Sequence, residues 1–374
     1  MKAQRWDVFC KVVDNFGDIG VSWRLAKQLE REYSIQVRLW IDDLNVAAKL
    51  LPNLNPQADA QTVQNIEIRY WPLNDDAFKE VMPADVVIEA FACELPQPYI
   101  QNMAKTKPIW LNLEYLSAEK WVDDFHAQQS IHPATGLKKT FFFPGFTTRT
   151  GGLLREQHLS ASRNAFHALS FWQSLNVSPI QNAIKVSLFC YPHAPIDRLL
   201  SSMAQSSQAI HCFVPNTTIL PDVAKHFGKA ELKVGETVSD KQLTVTVVPF
   251  LSQDEYDQLL WACDLNFVRG EDSWIRALWS AKPFIWQTYP QDEDLHLTKL
   301  KAFFEIYQPA SVLAAFNQAW LSGAMSTEFR NHTDWNQLMH ELPALKKHAE
   351  KQTHEFEKQT DLAANLVSFT KNQV

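Results

Sequence analysis

Short β-rich segments alternate with helical segments along the chain of 374 residues, and this pattern occurs twice. In the first half, the predicted strands cover residues 6–13, 35–41, 66–71, 85–91 and 108–113. In the second half, they cover residues 184–191, 209–214, 243–250, 264–268 and 283–288. Strands that alternate with helices form βαβ units around a mainly parallel sheet. The sequence therefore predicts an α/β protein of two Rossmann-like domains that face each other across a cleft, with ligands at the carboxyl ends of the strands.

The segments between the strands carry helical signals. Val21, Leu25 and Leu29 recur at a spacing of four, which is typical of the apolar face of a helix. Ser252 followed by Glu255 is a capping box that predicts a helix over residues 253–262. Further helices are predicted at 295–307, 311–321 and within 345–374, and the domain boundary within 155–182.

Composition and charge exclude several classes of protein. The net charge is −7 and no long basic run occurs, so we expect no nucleic acid partner. No segment approaches the roughly 18 apolar residues of a membrane span, and the N-terminus lacks a leader pattern, so we expect a cytoplasmic protein without a membrane partner. The five cysteines form no C-x-x-C pair and the histidines no metal-binding pair, which predicts reduced thiols and no metal.

A loop rich in carboxylates and glycines follows the first predicted strand. It reads Asp14-Asn15-Phe16-Gly17-Asp18-Ile19-Gly20. One interpretation is that Asp14 or Asp18 caps the following helix. The other is that one of these carboxylates projects toward a ligand as a base or an orienting group.

A second strand-to-helix turn lies at Val268-Arg269-Gly270-Glu271-Asp272-Ser273. Glycine at such a turn lets backbone N–H groups approach a phosphate, with the positive end of the helix dipole behind them. Arg269 can add a bidentate phosphate contact. The alternative is an ordinary turn in which Asp272 or Ser273 caps the helix.

Aromatic residues mark other candidate positions. Phe189, Tyr191 and Phe250 lie at predicted strand ends and can stack on a base or a sugar, although each alone is typical of a core residue. The segment 141–156, with three glycines and several phenylalanines, is either a hinge or partner-binding loop or a buried turn.

Three long motifs, "FCKVVDNFGDIGVSWRLAKQL", "FPGFTTRTGGLLRE" and "FVRGEDSWIRALWSAKPFIWQ", together resemble the EarP family. This family comprises bacterial protein-arginine rhamnosyltransferases that act on translation elongation factor P. The resemblance implies a GT-B fold and an inverting transfer of L-rhamnose from dTDP-β-L-rhamnose to one arginine, without a metal or other cofactor. It also implies that an N-terminal domain, residues 1–165 with the helix at about 350–374 packed back on it, binds the acceptor protein, and that residues 166–349 bind the nucleotide sugar.

The resemblance also implies roles for individual residues. Asp18 and Glu271 match the essential carboxylates of the family, and Asp14 matches a nearby partner of the first. Arg269, Gly270, Asp272 and Ser273 match the diphosphate turn. Further donor-pocket positions are matched by Phe189, Tyr191, Phe250, Gln253 and Tyr289, whereas Asn15, Phe16 and Gly17 belong to a loop that contacts donor or acceptor.

Two other functions fit the same residues. A nucleotide-sugar hydrolase or epimerase of this architecture would share the phosphate turn but need no acceptor protein. A non-catalytic module that binds a translation factor would use both carboxylate loops only as helix caps.

Overall fold

The computed structural model describes residues 4–13, 16–289, 295–322 and 333–373. The chain divides into two compact units. The first contains Met1–Gln157 and Gln359–Val374, and the second contains His158–Lys358. The domain boundaries expected from the sequence were at residues 165/166 and at about 349/350. The acceptor-binding and nucleotide-sugar-binding roles of the two domains stay predictions.

One sheet forms the centre of the first unit. Within its described residues, eight strands pair in the order β3-β4-β2-β1-β5-β6-β8-β7. They are β1 (Arg5–Cys10), β2 (Gln36–Ile41), β3 (Ala60–Val63), β4 (Ile66–Tyr70), β5 (Val86–Ala90), β6 (Ile109–Leu113), β7 (Gln129–Ile131) and β8 (Lys138–Phe142). The strands are parallel except for β3 and β7, which pair antiparallel at the two edges.

Helices cover this sheet because its strands are apolar on both faces. They are α1 (Gly17–Tyr33), α2 (Leu44–Leu50), α3 (Gln97–Thr106) and α4 (Val122–Phe125), with a 3₁₀ turn at Asp75–Phe78. The predicted stripe of Val21, Leu25 and Leu29 is buried on α1, as expected. An aromatic cluster that includes Phe9 and Tyr99 packs under α3.

A second sheet organises the second unit. Its described strands pair in the order β11-β12-β10-β9-β13-β14. They are β9 (Ile184–Leu188), β10 (Ile210–Pro215), β11 (Thr237–Asp240), β12 (Leu243–Val248), β13 (Leu265–Arg269) and β14 (Phe284–Gln287). The edge strand β11 is antiparallel to β12, and the other pairs are parallel.

The helices of the second unit follow the same alternation. They are α5 (Leu159–Asn164), α6 (Ala168–Ser174), α7 (Ile196–Ala204), α8 (Leu220–His226), α9 (Gln253–Ala262), α10 (Asp272–Trp279), α11 (Leu295–Tyr307), α12 (Ser311–Leu321) and α13 (Thr333–Glu357). The capping box predicted for α9 is present, because the Ser252 and Glu255 side chains each bind the other residue's backbone N–H.

The last helix, α14 (Leu362–Lys371), belongs to the first unit. Asp361 caps it by accepting a hydrogen bond from the Ala364 N–H at 3.0 Å. The Leu362 N–H donates to the Leu153 carbonyl at 2.9 Å, and the Arg155 guanidinium donates to the Gln359 carbonyl at 3.0 Å. These hydrogen bonds fix α14 to the segment that contains Leu153 and Arg155, near the end of the first stretch of sequence in this unit.

The glycine-rich segment is a buried turn within the first unit. Gly151 donates to the Phe143 carbonyl at 2.7 Å, and the Gly145 N–H donates to the Gly152 carbonyl at 3.2 Å. Gly152 has a left-handed backbone (φ +78°), and a Cβ there would collide with the Thr360 carbonyl. Of the two interpretations of residues 141–156, the structure favours the buried turn.

Candidate active site

Each sheet has a point where the strand order reverses, and ligands of open α/β sheets bind beside such points at the carboxyl ends of the strands. In the first unit this point lies between β1 and β5, and in the second unit it lies between β9 and β13. The loop after β1 leads to Asp18, and the turn after β13 contains Glu271. Both predicted carboxylate motifs therefore lie where the topology favours a ligand.

Asp18 lies in the first turn of α1 and its side chain is almost completely buried, with 1% exposure. One carboxylate oxygen, Oδ2, accepts a hydrogen bond from the Val13 N–H at 2.8 Å. The other, Oδ1, accepts one from the Tyr115 hydroxyl at 3.1 Å. The N-cap position belongs to Phe16, whose side chain makes no capping hydrogen bond. Asp18 is thus hydrogen-bonded to the loop before α1 and to Tyr115, which follows β6. It does not cap the helix.

The other residues of this loop are placed only in part. Asp14 and Asn15 lie outside the described residues. Gly17 is the first residue of α1, and the Phe16 carbonyl accepts the Gly20 N–H at 2.9 Å. The Lys49 ammonium lies 5.9 Å from the Phe16 ring centroid.

Two aromatic residues beside Asp18 were missed by the sequence analysis. Tyr115 follows β6, and its ring stacks on Phe91 with centroids 4.4 Å apart and planes 16° apart. Phe91 begins the loop after β5. The strand order places β5 beside β1 and β6 one strand further away, and nothing in the sequence around Tyr115 indicates a contact with Asp18.

In the second unit, Arg269 lies between two aromatic rings. Its guanidinium carbon is 4.5 Å from the Phe189 ring centroid and 4.6 Å from that of Tyr191. Nη1 donates to the Cys190 carbonyl at 3.3 Å. A guanidinium has five N–H donors, so donors remain that can bind an oxyanion. Strand order explains the cluster, because β9 and β13 are neighbours.

The turn after Arg269 is built to start a helix without a side-chain cap. Gly270 has a left-handed backbone (φ +60°), which glycine adopts readily. Glu271 occupies the N-cap position of α10, and its side chain makes no capping bond. The Ser273 hydroxyl accepts the Arg269 N–H at 3.0 Å and donates to the Arg269 carbonyl. The capping role considered for Asp272 or Ser273 is therefore not observed, and the serine closes the turn instead.

The side chains of Gln253 and Asp272 contact each other at the start of α10. The Gln253 amide donates to the Asp272 carboxylate at 3.4 Å. The helices that carry them, α9 and α10, are joined by a buried ion pair in which Arg276 Nη2 lies 2.6 Å from Asp257 Oδ2. The pair fixes the spacing of the two helix starts.

Tyr289 and Phe250 complete the predicted donor residues. Tyr289 is 46% exposed, and its ring lies edge-on to Tyr191 at 5.7 Å. Phe250 follows β12, which is separated from β9 by β10, and is half-buried. The structure thus joins Arg269, Phe189, Tyr191 and Tyr289 in one cluster.

Two further polar residues border this cluster. The Gln287 side chain accepts the Tyr191 N–H at 2.8 Å, and its amide lies 3.2 Å from His193 Nε2. The pKa of His193 is lowered by burial, with smaller contributions from the charges of His296 and Arg269. A neutral imidazole at this position adds no charge to the aromatic cluster near neutral pH.

The described residues include no cluster of three or more His, Cys, Asp or Glu side chains suited to a metal ion. All five cysteines are buried and unbonded to one another. Burial raises the pKa of the Cys190 thiol, the one nearest the aromatic cluster, to about 12. Such a thiol is protonated near neutral pH and is not a nucleophile.

A cavity of about 510 Å³ lies elsewhere in the first unit, between Trp71, Glu89 and Lys139. The Glu89 carboxylate forms an ion pair with the Lys139 ammonium at 3.3 Å and accepts a hydrogen bond from the Trp110 indole N–H at 3.1 Å. None of the predicted site residues lines this cavity.

Residues 6–371 match the family model described as Elongation-Factor P (EF-P) rhamnosyltransferase EarP. The chain belongs to the EarP family. The protein-arginine rhamnosyltransferase of Pseudomonas putida is 42% identical to this chain over 387 residues, and the match covers 100% of both proteins. The enzyme of the same name from Pseudomonas aeruginosa is 42% identical over 374 residues. That match covers 97% of this chain and 98% of the P. aeruginosa enzyme. As a member of the EarP family, the chain is a glycosyltransferase of the protein-arginine rhamnosyltransferase class.

Solved structures agree with the fold prediction. One, described as the structural basis for EarP-mediated arginine glycosylation of translation elongation factor EF-P, is 32% identical with a TM-score of 0.69. It covers 99% of this chain and 100% of that chain. MurG of Acinetobacter baumannii is 12% identical with a TM-score of 0.51 over the full length of both chains, which is a likeness of fold alone. The prediction of a two-domain α/β protein of the GT-B type is confirmed.

Membrane-spanning helices are absent from the part of the chain that the structure describes, where no helix has the length and apolar character required.

Proposed function

We propose that this chain transfers L-rhamnose from dTDP-β-L-rhamnose to a guanidine nitrogen of one arginine of translation elongation factor P, with inversion at the anomeric carbon. The modification would activate the factor for the rescue of stalled ribosomes. A nucleotide-sugar donor and a translation factor as acceptor place this reaction in the cytoplasm.

The comparisons support the acceptor. The family model names EF-P, and the 32% identical solved structure concerns arginine glycosylation of EF-P. Relatives with 40–42% identity are named protein-arginine rhamnosyltransferases. The match to the P. putida relative covers the full length of both chains.

The buried carboxylate of Asp18 is the observation that carries the proposal. An arginine guanidinium has a pKa above about 12 and a delocalised lone pair, so it is a poor nucleophile. A carboxylate can bind it, localise its charge and accept a proton as the new bond forms. Asp18 is fixed by hydrogen bonds from Val13 and Tyr115, so it needs no reorganisation before reaction.

The proposed transfer is a single displacement at the anomeric carbon. A guanidine nitrogen forms a bond to the anomeric carbon while the bond from that carbon to the dTDP oxygen breaks. The nitrogen gives up a proton, which we assign to Asp18, and dTDP leaves with the bonding electrons. Attack from the face opposite the leaving group converts the β-linked donor into an α-linked product.

The turn after β13 is suited to the leaving diphosphate. Arg269 lies against Phe189 and Tyr191 and retains N–H donors, and α10 directs its N-terminal N–H groups toward the same turn. These groups supply positive charge where negative charge develops. We therefore propose that the reaction needs neither a metal ion nor another cofactor.

We assign the remaining residues from their match to the family motifs and, where the structure describes them, from their contacts. Glu271, at the start of α10, orients the sugar or the guanidine, and Asp14 assists Asp18. Tyr191, Phe189 and Tyr289 form an aromatic wall for the nucleotide. The family motifs assign Phe250 to the same donor pocket. Gln253 and Asp272, hydrogen-bonded to each other, would bind donor hydroxyl or phosphate groups. Gly270 allows the close approach of the diphosphate, and Ser273 closes the turn.

Intact mass spectrometry of EF-P after incubation with this chain and dTDP-L-rhamnose tests the proposal. We expect a mass gain of one deoxyhexose that disappears when the acceptor arginine is replaced by lysine. Release of dTDP without a mass gain would instead indicate a hydrolase. A stable complex with neither product would indicate a binding module.

A further inference from the structure

The aromatic pair Phe91–Tyr115 lies beside Asp18 and has no role in the donor chemistry described above. Tyr115 is 42% exposed, although its ring is stacked on Phe91. A large aromatic side chain that keeps this exposure next to a buried carboxylate offers a surface to a ligand. Exposed aromatic rings attract cations through their negative faces.

The loop that carries Phe91 is held in an unusual backbone conformation. Phe91, Ala92 and Glu94 all have positive φ angles, of 57°, 52° and 56°. Non-glycine residues adopt this conformation only where the surroundings enforce it. Here the Phe91 N–H donates to the Leu113 carbonyl at 2.7 Å and the Ala92 N–H to the Asn112 side chain at 3.1 Å.

These hydrogen bonds join the loop after β5 to the last residues of β6, and Tyr115 follows β6 directly. The strained loop therefore presents the Phe91 ring to Tyr115 and limits the orientations of the tyrosine. This arrangement fixes the direction of the Tyr115 hydroxyl, which donates to Asp18 Oδ1 at 3.1 Å.

We propose that Tyr115 is a positioning residue for the acceptor arginine. Its hydroxyl holds the Asp18 carboxylate, and its exposed ring, supported by Phe91, is the surface on which the acceptor guanidinium stacks. The inference rests on the proposed function, since it assumes that Asp18 is the carboxylate that meets the guanidinium.

The chemistry of the two groups suits this role. A guanidinium is planar and weakly hydrated, so it can stack on an aromatic ring while its N–H groups, which point within its own plane, bind a carboxylate beyond the edge of the ring. A lysine ammonium is compact and strongly hydrated and gains less from the same surface. The pair of Tyr115 and Asp18 therefore favours arginine over lysine as the acceptor.

Steady-state kinetics with EF-P and dTDP-L-rhamnose test the inference on the full chain. Tyr115→Phe keeps the ring and removes the hydroxyl, so we expect kcat to fall about 10- to 100-fold, the scale of one hydrogen bond to a charged group, with KM for EF-P unchanged. Tyr115→Leu also removes the ring, and we expect KM for EF-P to rise a further ~2- to 5-fold from the lost cation–π contact.

Tyr70→Phe is the matched control, because Tyr70 ends β4, which is separated from β1 by β2. We expect it to have wild-type kcat and KM. Circular dichroism melting curves verify that the variants remain folded. Calorimetric titration with dTDP checks that the donor cluster, which belongs to the other unit, is unchanged.

The outcomes separate the two proposals. If wild-type chain modifies EF-P and Tyr115→Phe has the same kcat, the hydroxyl does not position Asp18. If Tyr115→Leu and Tyr115→Phe have the same KM, the ring does not bind the guanidinium. A wild-type chain that binds dTDP-L-rhamnose but never modifies EF-P overturns the proposed function and this inference together.

Discussion

Replacing Asp18 by asparagine tests the proposed base while changing the shape of the side chain very little. Asparagine cannot accept a proton at neutral pH, so we expect kcat for EF-P modification to fall by about 10²–10⁴-fold, the usual contribution of a general base. Donor binding should persist, because Arg269 and its aromatic neighbours belong to the other unit.

The structure also predicts that Asp18→Asn lowers the free energy of unfolding. The Asp18 carboxylate accepts two hydrogen bonds, one at each oxygen, from Val13 and Tyr115. An asparagine has one carbonyl oxygen, so one of the two donors would face an NH₂ group. If that is the Val13 N–H, a hydrogen bond to a charged group is lost, and the loss is about 1–3 kcal/mol in the free energy of unfolding. For a unit of this size it corresponds to a fall in Tm of roughly 2–10 °C.

Asp42→Asn is a matched control for this loss. The Asp42 carboxylate accepts the Val12 N–H at 2.9 Å, so it makes the same kind of contact one residue earlier in the chain. Because the asparagine oxygen can still accept the Val12 N–H, we expect a smaller fall in Tm than for Asp18→Asn and an unchanged kcat. Mass spectrometry gives the rate of EF-P modification and differential scanning calorimetry gives Tm. Equal activity of Asp18→Asn and wild type, or an equal loss of activity in Asp42→Asn, would refute the assignment of Asp18 as the base.

Four further predictions address other parts of the molecule. Arg269→Ala should weaken dTDP binding about 10- to 100-fold, because a charge-assisted contact to phosphate is lost; unchanged calorimetric affinity would exclude this contact. Activity should survive EDTA, and a loss that Mg²⁺ restores would contradict the proposed metal-free reaction. Gly152→Ala should lower Tm by several degrees, since the new Cβ would collide with the Thr360 carbonyl, and an unchanged melting curve would contradict the packing described. Burial lowers the pKa of His211 to about 4, so the unfolded chain binds more protons between pH 6.5 and pH 4. Stability should therefore fall as pH decreases through that window, and His211→Gln should show a weaker pH dependence in urea unfolding.

Most of the parallel strands could be predicted, because they are runs of mainly apolar residues. The parallel strand β8, which begins with two lysines, was missed. All ten predicted strands are present, with ends that differ by up to three residues. The strands that were missed include the antiparallel edges β3, β7 and β11. These are three or four residues long and carry exposed polar side chains, so no hydrophobic periodicity marks them.

The candidate site was predictable in part. Its two loops were found because carboxylates and scarce glycines follow predicted strands. The roles of individual residues came from the resemblance to the EarP family and stay predictions here. Tyr115 could not be found, since its contact with Asp18 joins residues 97 positions apart and depends on the order of strands in the sheet. Similarly, the position of Arg269 between Phe189 and Tyr191 follows from β9 lying beside β13.

The return of α14 to the first unit has a consequence for the order of folding during synthesis. The second unit is continuous in sequence, so all of it has been translated when Lys358 is added. The first unit begins at the N-terminus but lacks the partners of Leu153 and Arg155 until residues 359–374 have left the ribosome. Domains generally fold as units in the order in which they are made. In this chain the unit that starts first is completed last, and a nascent chain that stops before residue 359 holds a finished second unit and an unfinished first.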